Sequence, residues 1–272
     1  MTIALSPPVL YAGEVFLNNG DRITGELIHL NERDYIVKTQ GVGIVQIARD
    51  TVKEIKGAEI EAGYSQTSGN TKTRDISGRI FVNRKVEKKN EITAEAKSIY
   101  AGRDRKMITQ KHYAMARYAY SFGESKKWYN FYKTEGAHDR FANIDYRVIP
   151  STGLGYWFSD ADSFKALTEV GVGFAHTKFR DDTEDKDELV LVPRLYLEKR
   201  LIGESRVSQD IFAYPEITDF GAFRLHSETR LDNPINDYLK LRLSLIDDYN
   251  TDPGDDVRRN DLRLESSVAV SF

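Results

Sequence analysis

Apolar and polar side chains alternate along most of the chain after residue 57, and this period of two is typical of strands with one apolar face. The carboxyl-terminal stretch shows the pattern plainly. One parity carries Leu262, Leu264, Ser266, Val268, Val270 and Phe272, and the other carries Arg263, Glu265, Ser267, Ala269 and Ser271. A strand of this kind needs a neighbour on each edge. We therefore expect the preceding segments to be its partners.

Alternation followed by a turn recurs in about twelve segments, each long enough for the ~9–11 residues that a transmembrane strand needs. They cover residues 58–67, 71–84, 89–101, 106–122, 126–140, 144–158, 163–177, 187–200, 205–214, 219–231, 236–249 and 260–272. Strands of soluble sheets are shorter, about 5–6 residues. The pattern therefore predicts an all-β chain whose residues 58–272 form an antiparallel transmembrane β-barrel of about twelve strands. A soluble β-sandwich binding module, with its apolar face inward, is the alternative.

The lengths of the connections predict how the barrel is oriented. An even number of strands puts both chain ends on the periplasmic side, where the turns of outer-membrane barrels are short. The longest connections, 179–187 and 250–259, follow the seventh and eleventh segments and so fall on the outside. The short turn at 67–71 follows the first segment and departs from this trend. We predict an outer-membrane protein of a Gram-negative cell with both termini periplasmic.

Five short apolar runs precede the barrel, at residues 15–17, 23–28, 35–39, 44–47 and 51–55. Asn19-Gly20 between the first two suits a type I′ hairpin turn, in which both central residues take positive φ. These runs predict a small SH3-like or Sm-like periplasmic β domain over residues 13–57, with a partner that the sequence does not indicate. A plug or spacer is the alternative. Residues 1–12 resemble the end of a truncated signal peptide.

The composition mainly excludes other classes of protein. The chain has no run of the roughly 18 apolar residues that a transmembrane helix needs. Its net charge of −3 does not favour a nucleic-acid partner. It has no cysteine, which excludes a disulfide framework and a thiolate metal site.

Several motifs resemble the DUF481 family, which is described as salt-induced outer-membrane proteins. They are 15–25, Gly63-Tyr64-Ser65 with Ser68-Gly69-Asn70-Thr71, Asp145-Tyr146-Arg147 with Gly153-Leu154-Gly155-Tyr156, and Glu169-Val170-Gly171-Val172-Gly173. The resemblance covers the chain after Gly13 and implies an outer-membrane barrel with no established reaction. A link to salt stress rests on the family description alone. Outer-membrane lipid and lipopolysaccharide would surround such a barrel. The barrel-assembly machinery would recognise the carboxyl-terminal strand ending at Phe272.

The sequence shows no pattern typical of an active site, so we predict no catalytic, cofactor-binding or metal-binding residues. The histidines, His29, His112, His138, His176 and His226, lack the spacing of metal ligands. A barrel enzyme acting on lipid or lipopolysaccharide would need a serine, a histidine and a carboxylate together at the lipid-facing rim. No spacing links such residues here, and the enzyme remains an alternative. The glycines of 153–155 and 171–173 lie in mid-strand, where they leave room for large facing side chains.

The polar face of the predicted strands carries long charged side chains that we expect inside the barrel. The candidates for lining the lumen are Arg79, Arg147, Arg194, Arg224, Glu228, Arg230, Arg242, Arg263 and Glu265. Such side chains either bridge and close the interior or line a narrow pore. The excess of arginine would make a pore favour anions. The sequence therefore predicts a porin-like barrel with a structural or narrow-pore role.

Overall fold

The computed structural model describes residues 13–30, 34–39, 41–67, 73–86, 89–104, 106–123, 125–161, 163–202, 204–236, 239–253 and 259–271. The first strands are β1 (Glu14–Leu17), β2 (Arg22–Thr24), β3 (Glu26–Leu30), β4 (Asp34–Thr39) and β5 (Gly43–Ala48), followed by a 3₁₀ turn at Arg49–Thr51. In this part of the chain no helix is both long and apolar enough to cross a bilayer. The predicted leader, residues 1–12, lies outside the described residues.

The remaining strands form one antiparallel barrel. They are β6 (Val52–Thr67), β7 (Thr73–Val86), β8 (Asn90–Arg103), β9 (Lys106–Phe122), β10 (Trp128–Asp139), β11 (Ile144–Ala161), β12 (Phe164–Phe179), β13 (Lys186–Leu191), β14 (Arg194–Arg200), β15 (Arg206–Pro215), β16 (Phe223–Pro234), β17 (Leu239–Asn250) and β18 (Asn260–Ser271). Neighbouring strands pair in chain order, except that β13 does not pair with β14, and β18 returns to β6. β13 and β14 both pair with β12 and together make one barrel strand, so the predicted twelve-stranded barrel is confirmed.

The interruption between β13 and β14 has a local cause. Pro193 lacks a backbone N–H and cannot complete the ladder at this point. The alternation nevertheless continues across it, because Val190 and Val192 are each 1% exposed inside the barrel and Arg194 continues their parity.

β6 is one continuous strand that serves both parts of the chain. Its first residues pair with β1 over Val52–Lys56, and Glu59–Gly63 pairs with β18. The predicted short strand at 51–55 is therefore not separate, and the predicted boundary at residue 57 falls inside β6. The reason is that the strand continues through Gly57, where we placed the domain boundary. Val15, Tyr35, Val37, Ile47 and Val52 form a small core beside the barrel. An SH3-like or Sm-like arrangement of these strands stays a prediction.

The turn between β1 and β2 also differs from the prediction. Gly20 has a φ of +93°, but Asn19 is not among the described residues with positive φ, so the turn is not type I′. The Asn19 side-chain oxygen instead accepts a hydrogen bond from the backbone N–H of Asp21 at 3.0 Å. This local bond is the usual way in which asparagine stabilises a turn.

The two faces of the barrel strands have opposite chemistry. Leu241, Leu243 and Leu245 are 39–44% exposed, whereas Arg242 and Ser244 between them are 4% and 3% exposed. A soluble sandwich would bury the leucines, so that alternative is wrong for this chain. Exposed aromatic residues flank the outer apolar band near the turns, and they are Phe122, Trp128, Phe158 and Phe164 at one end and Tyr64, Tyr100 and Tyr146 towards the other. Aromatic girdles of this kind mark membrane interfaces.

The two ends of the barrel differ. The start of β6 and the end of β18 lie together at what we call the terminal end. The connections 180–185, 216–222 and 251–259 lie at the opposite end, which we call the loop end, and are the longest. Two of them were expected from the sequence, and 216–222 was not. In the described residues β18 pairs with β17 over Asn260–Val270 but with β6 only over Ser267–Ser271, so the closing seam is short.

Two of the mid-strand glycines, Gly155 on β11 and Gly171 on β12, make room for large aromatic side chains, as predicted. Tyr129 and Phe131 point inward from β10 and are 2% and 0% exposed. A Cβ atom on Gly155 would lie 2.2 Å from the Tyr129 ring, and one on Gly171 would lie 2.9 Å from the Phe131 ring. Neither distance is compatible with a side chain at the glycine, so only glycine fits.

Replacing Gly155 with alanine should destabilise the barrel by about 1–3 kcal/mol, as overpacking does. Tyr129 cannot simply move away, because its hydroxyl donates a hydrogen bond to Glu169 at 2.9 Å. Gly136→Ala is the matched control, since a Cβ there meets nothing within 4 Å. Urea unfolding, followed by the mobility of unboiled samples on gels, measures both variants. Equal midpoints for the two variants would contradict the close-packing explanation.

Candidate functional site

A cavity of about 1240 Å³ lies inside the barrel. Lys85, Asp160 and Lys165 line it towards the terminal end, and Asp139 and Asp261 line it towards the loop end. The cavity therefore follows the height of the barrel rather than one wall. Its lining is rich in charged side chains because the inward parity of most strands is polar.

The structure places most of the predicted lumen residues around this cavity. Arg79, Arg147, Arg194, Arg224, Glu228, Arg230, Arg242 and Arg263 line it. Glu265 lies behind the lining, with its Oε2 3.3 Å from Lys97 Nζ and 3.7 Å from Arg263 Nε. The residues are not gathered at one point but are distributed among several ion-paired groups.

The first group, which we call the seam network, consists of Glu59, Glu61, Arg79, Asp232 and Arg242. Arg242 Nη1 lies 2.7 Å from both Glu59 Oε1 and Glu61 Oε2, and its Nε and Nη2 donate to Asp232 at 2.7 and 2.8 Å. Arg79 lies 3.4 Å from Glu59 and 3.5 Å from Glu61. The network joins β6 to β17 across the intervening β18 and so ties the two ends of the barrel sequence together.

The second group, the mid-barrel network, is centred on Glu169, which is 2% exposed. Its carboxylate accepts hydrogen bonds from Arg117 Nη2 at 2.5 Å, the Tyr129 hydroxyl at 2.9 Å and Arg194 Nη1 at 3.5 Å. Arg194 also makes a two-point contact with Asp210, at 2.9 and 2.8 Å. Two-point arginine–carboxylate contacts fix geometry as well as charge, so this wall of the cavity is rigid.

Sequence reasoning found Glu228 and Glu265 but missed the carboxylates at the centre of the two networks. Glu59, Glu61 and Glu169 are all buried, yet none of them was a candidate for the lumen. The signal was present, since Glu59 and Glu61 alternate with Ile60 and Ala62. Both lie in the first predicted barrel segment, but the candidates were drawn mainly from the arginines of the later strands.

Two arginines near the loop end have a different environment. Arg147 Nε donates to Thr177 Oγ1 at 2.9 Å, and among the described residues the side chain has no ion pair. Arg224 has one carboxylate nearby, with its Nη2 3.7 Å from Glu188 Oε2. That distance is too long for a hydrogen bond. These two cations are therefore less neutralised than those of the two networks.

One serine and two histidines lie together near the loop end of β8, β9 and β10. Ser98 Oγ lies 3.0 Å from His112 Nδ1, and the His112 ring stacks on His138 with centroids 5.6 Å apart. The second ring nitrogen of His112 lies 3.5 Å from the Tyr100 hydroxyl. In the part of the chain that the structure describes, no hydrogen bond of His112 goes to a carboxylate. The group thus lacks the acid that orients the histidine in hydrolytic triads.

Potential metal ligands are also dispersed. Among the described residues no three His, Asp or Glu side chains are grouped so that they could hold a metal ion. The histidines of β12 and β16 each contact one aspartate instead, His176 with Asp187 at 2.7 Å and His226 with Asp248 at 2.6 Å.

Comparison with solved structures finds distant similarity to membrane-protein chains. The translocator domain of the autotransporter NalP from Neisseria meningitidis shares 9% identity, with 81% of this chain and 88% of that chain covered and a TM-score of 0.42. The KdgM porin shares 9% identity, with 79% of this chain and 99% of that chain covered and a TM-score of 0.44. The outer membrane channel DcaP of Acinetobacter baumannii shares 9% identity, with 96% of this chain and 78% of that chain covered and a TM-score of 0.37.

Comparison with sequences gives a family. No curated protein matches the chain. The model of the family described as "Protein of unknown function, DUF481" matches residues 60–272, which include β7 to β18 and the second half of β6. The match covers more than half of the sequence and includes the motifs noted above except 15–25, which lies before it. The chain belongs to the DUF481 family.

Proposed function

We propose that this protein is an outer-membrane barrel that forms a narrow pore for small hydrophilic solutes. The observation that carries the proposal is the charged cavity of about 1240 Å³, whose lining residues come from both ends of the barrel. Barrels of about eight strands are filled by side chains, and those of 16–18 strands leave a wide channel. A barrel of twelve strands with rigid ion-paired walls lies between these limits, so only small solutes would pass.

Planar-bilayer recording tests the proposal directly. We expect the purified, refolded protein to give discrete conductance steps in potassium chloride, because its cavity is lined by charged groups that hydrated ions can approach. A shift of gel mobility on boiling must first show that the sample is folded. Folded barrels that insert but never conduct would contradict the pore and favour the structural role.

We propose that the apolar outer band lies in outer-membrane lipid, with lipopolysaccharide beyond the loop end. The termini and the N-terminal strands would then be periplasmic, because the longest connections lie at the opposite end. We also propose recognition of the carboxyl-terminal strand by the barrel-assembly machinery. Phe272, which follows β18 in the sequence, lies outside the described residues.

Cysteine labelling of whole cells should report this orientation, because the chain has no cysteine of its own. A membrane-impermeant maleimide should label the Asp182→Cys variant in intact cells, since Asp182 is exposed at the loop end. Asp50→Cys, at an exposed position before β6, should react only after the cells are lysed. Labelling of Asp50→Cys in intact cells with protection of Asp182→Cys would reverse the assigned orientation.

A role in salt stress would have a physical basis in the two networks. Exposed ion pairs weaken as salt rises, whereas buried pairs are screened much less. Arg242 and Glu169 are 4% and 2% exposed. We propose that the barrel therefore keeps its geometry at high ionic strength. Unfolding midpoints that fall steeply with added sodium chloride would contradict this proposal.

A lipid-modifying enzyme is the second candidate function, and the 3.0 Å contact between Ser98 and His112 is the one observation that favours it. We propose no catalytic role, because the orienting carboxylate is absent from the hydrogen bonds of His112 in the described chain. The wild-type barrel in mixed phospholipid micelles should therefore release no more fatty acid than the Ser98→Ala variant. Fatty-acid release by the wild type that is lost in Ser98→Ala would contradict the proposed pore and support the enzyme.

A further inference from the structure

Arg147 on β11 and Arg224 on β16 face the cavity near the loop end with unused hydrogen-bonding capacity. Arg242 and Arg194 each make a two-point contact with a carboxylate at 2.7–2.9 Å. Arg147 and Arg224 make no such contact in the described part of the chain. Their positions on the wall of the cavity let a solute reach them.

The Arg147 side chain is held in place by a neutral partner. Its Nε donates to Thr177 Oγ1 at 2.9 Å, and Thr177 is only 1% exposed. This bond uses one of the five N–H donors of the guanidinium and fixes the plane of the group. The remaining donors are left for other acceptors, and no described carboxylate lies within ion-pair distance of them.

The Arg224 guanidinium is also incompletely satisfied. Its Nη2 is buried and has no hydrogen-bond partner. Glu188, the nearest carboxylate at 3.7 Å, is shared with Lys186, whose Nζ lies 3.2 Å from the other Glu188 oxygen. The Tyr214 ring lies 5.5 Å from the guanidinium and supports it from one side.

In the described residues, Arg147 and Arg224 both lack a carboxylate within hydrogen-bonding distance. Arg147 and Arg224 are close enough for their charges to repel each other, and Glu188 and Asp139 are the carboxylates that act on Arg147. Asp139 is already paired with Lys111 at 3.2 Å. A buried charge that lacks a partner is unfavourable. An anion that entered between the two guanidinium groups would relieve this repulsion and fill the empty hydrogen-bonding positions.

We propose that Arg147 and Arg224 form a binding site for an oxyanion, the phosphate or carboxylate group of a small solute. Two planar guanidinium groups match the geometry of these oxyanions, because each can donate two parallel hydrogen bonds. The site rests on the proposed function, since the anion reaches it through the pore. It makes the pore selective for solutes that carry such a group rather than for anions in general.

Block of the ion current measures binding at this site. The pore is inserted into a bilayer of neutral lipid, so that no anionic headgroup can supply the ligand, and the current in potassium chloride is recorded as inorganic phosphate or citrate is added. We expect phosphate or citrate to reduce the current in a saturable way. Arg147→Gln and Arg224→Gln should each raise the half-blocking concentration at least about tenfold, which equals ~1.4 kcal/mol of binding free energy.

Arg180→Gln is the control with the same change of charge, because Arg180 is exposed at the loop end and does not line the cavity. Its half-blocking concentration should stay within about twofold of the wild type. Arg147→Lys keeps the charge but loses the planar fork, and it should give an intermediate value. If Arg147→Gln does not fold, the half-blocking concentration of Arg147→Lys tests the site in its place. Equal shifts for Arg147→Gln and Arg180→Gln would show general electrostatics and overturn the site.

The experiments can contradict the proposed pore and the proposed oxyanion site independently of each other. A wild-type pore that conducts but is not blocked by phosphate or citrate overturns the site and leaves the pore intact. If the folded barrel does not conduct, the pore is overturned. Isothermal titration of the detergent-solubilised barrel with phosphate then decides the site. Binding heat that is lost in Arg147→Gln and Arg224→Gln supports the site, and an absence of heat in the wild type overturns it.

Discussion

Replacing Arg242 with methionine should lower the free energy of unfolding by about 3–5 kcal/mol, as removal of one partner from a buried ion network does. The methionine would fill most of the volume, but the cation that contacts Glu59, Glu61 and Asp232 would be lost. Lys240 would still contact Glu59, but Arg79 lies 3.5 Å from Glu61 and Lys240 lies 3.7 Å from Asp232, so these two carboxylates would lose their close cation. Urea unfolding of the refolded barrel in lipid vesicles measures the change.

Two further variants separate charge from packing in the seam network. Arg180→Met removes an exposed arginine outside the barrel interior and should change stability by no more than about 0.5 kcal/mol. Adding Glu61→Gln and Asp232→Asn to Arg242→Met removes the two carboxylates that keep no cation closer than 3.5 Å in the described chain, and it should restore most of the loss. If the triple variant were less stable than Arg242→Met alone, uncompensated charge would not be the cause.

Replacing Glu169 with glutamine should have the second large effect, on both stability and ion selectivity. The amide cannot balance Arg117 and Arg194, and its nitrogen cannot accept a hydrogen bond as the carboxylate oxygens do. We expect a loss of about 2–4 kcal/mol, close to that of breaking other buried pairs. Uncovered positive charge beside the cavity should also raise the permeability ratio of chloride to potassium severalfold, in line with charge selectivity in pores.

The reversal potential under a salt gradient measures this ratio. Glu184→Gln is the matched control, because Glu184 is an exposed residue of the 180–185 connection. It removes the same charge from the protein without touching the mid-barrel network. Should Glu169→Gln leave the reversal potential unchanged while Glu184→Gln shifts it, charge at the mouth rather than in the barrel would set selectivity.

The barrel could be predicted because the alternation that specifies each strand is visible within a few consecutive residues. Leu241, Arg242 and Leu243 already show which side of the strand faces lipid and which faces the interior, since successive side chains point to opposite faces. Strand length then distinguishes a membrane barrel from a soluble sheet. The number of strands follows from counting such segments. The family motifs pointed to the same architecture.

The ion networks could not be predicted because their partners are distant in sequence. Arg242 and Glu59 are 183 positions apart, and only closure of the barrel brings them together. The contact between Ser98 and His112 depends on a finer detail. An irregularity between Ala101 and Gly102 shifts the pairing of β8 with β9 by one residue, and without it Ser98 would face Lys111. No pattern in the sequence marks a shift of this size.

The short seam has a consequence for the order in which the barrel assembles. The seam network takes residues from β6 and β7 at one end of the barrel sequence and from β16 and β17 at the other, so it forms only after both have been made. Until then Glu59, Glu61 and Arg242 keep their hydration. Closure is therefore the step that removes water from these charges, and reopening requires separating them again inside the barrel. Closure, the last step of folding, thus sets the barrier that slows unfolding of the finished barrel.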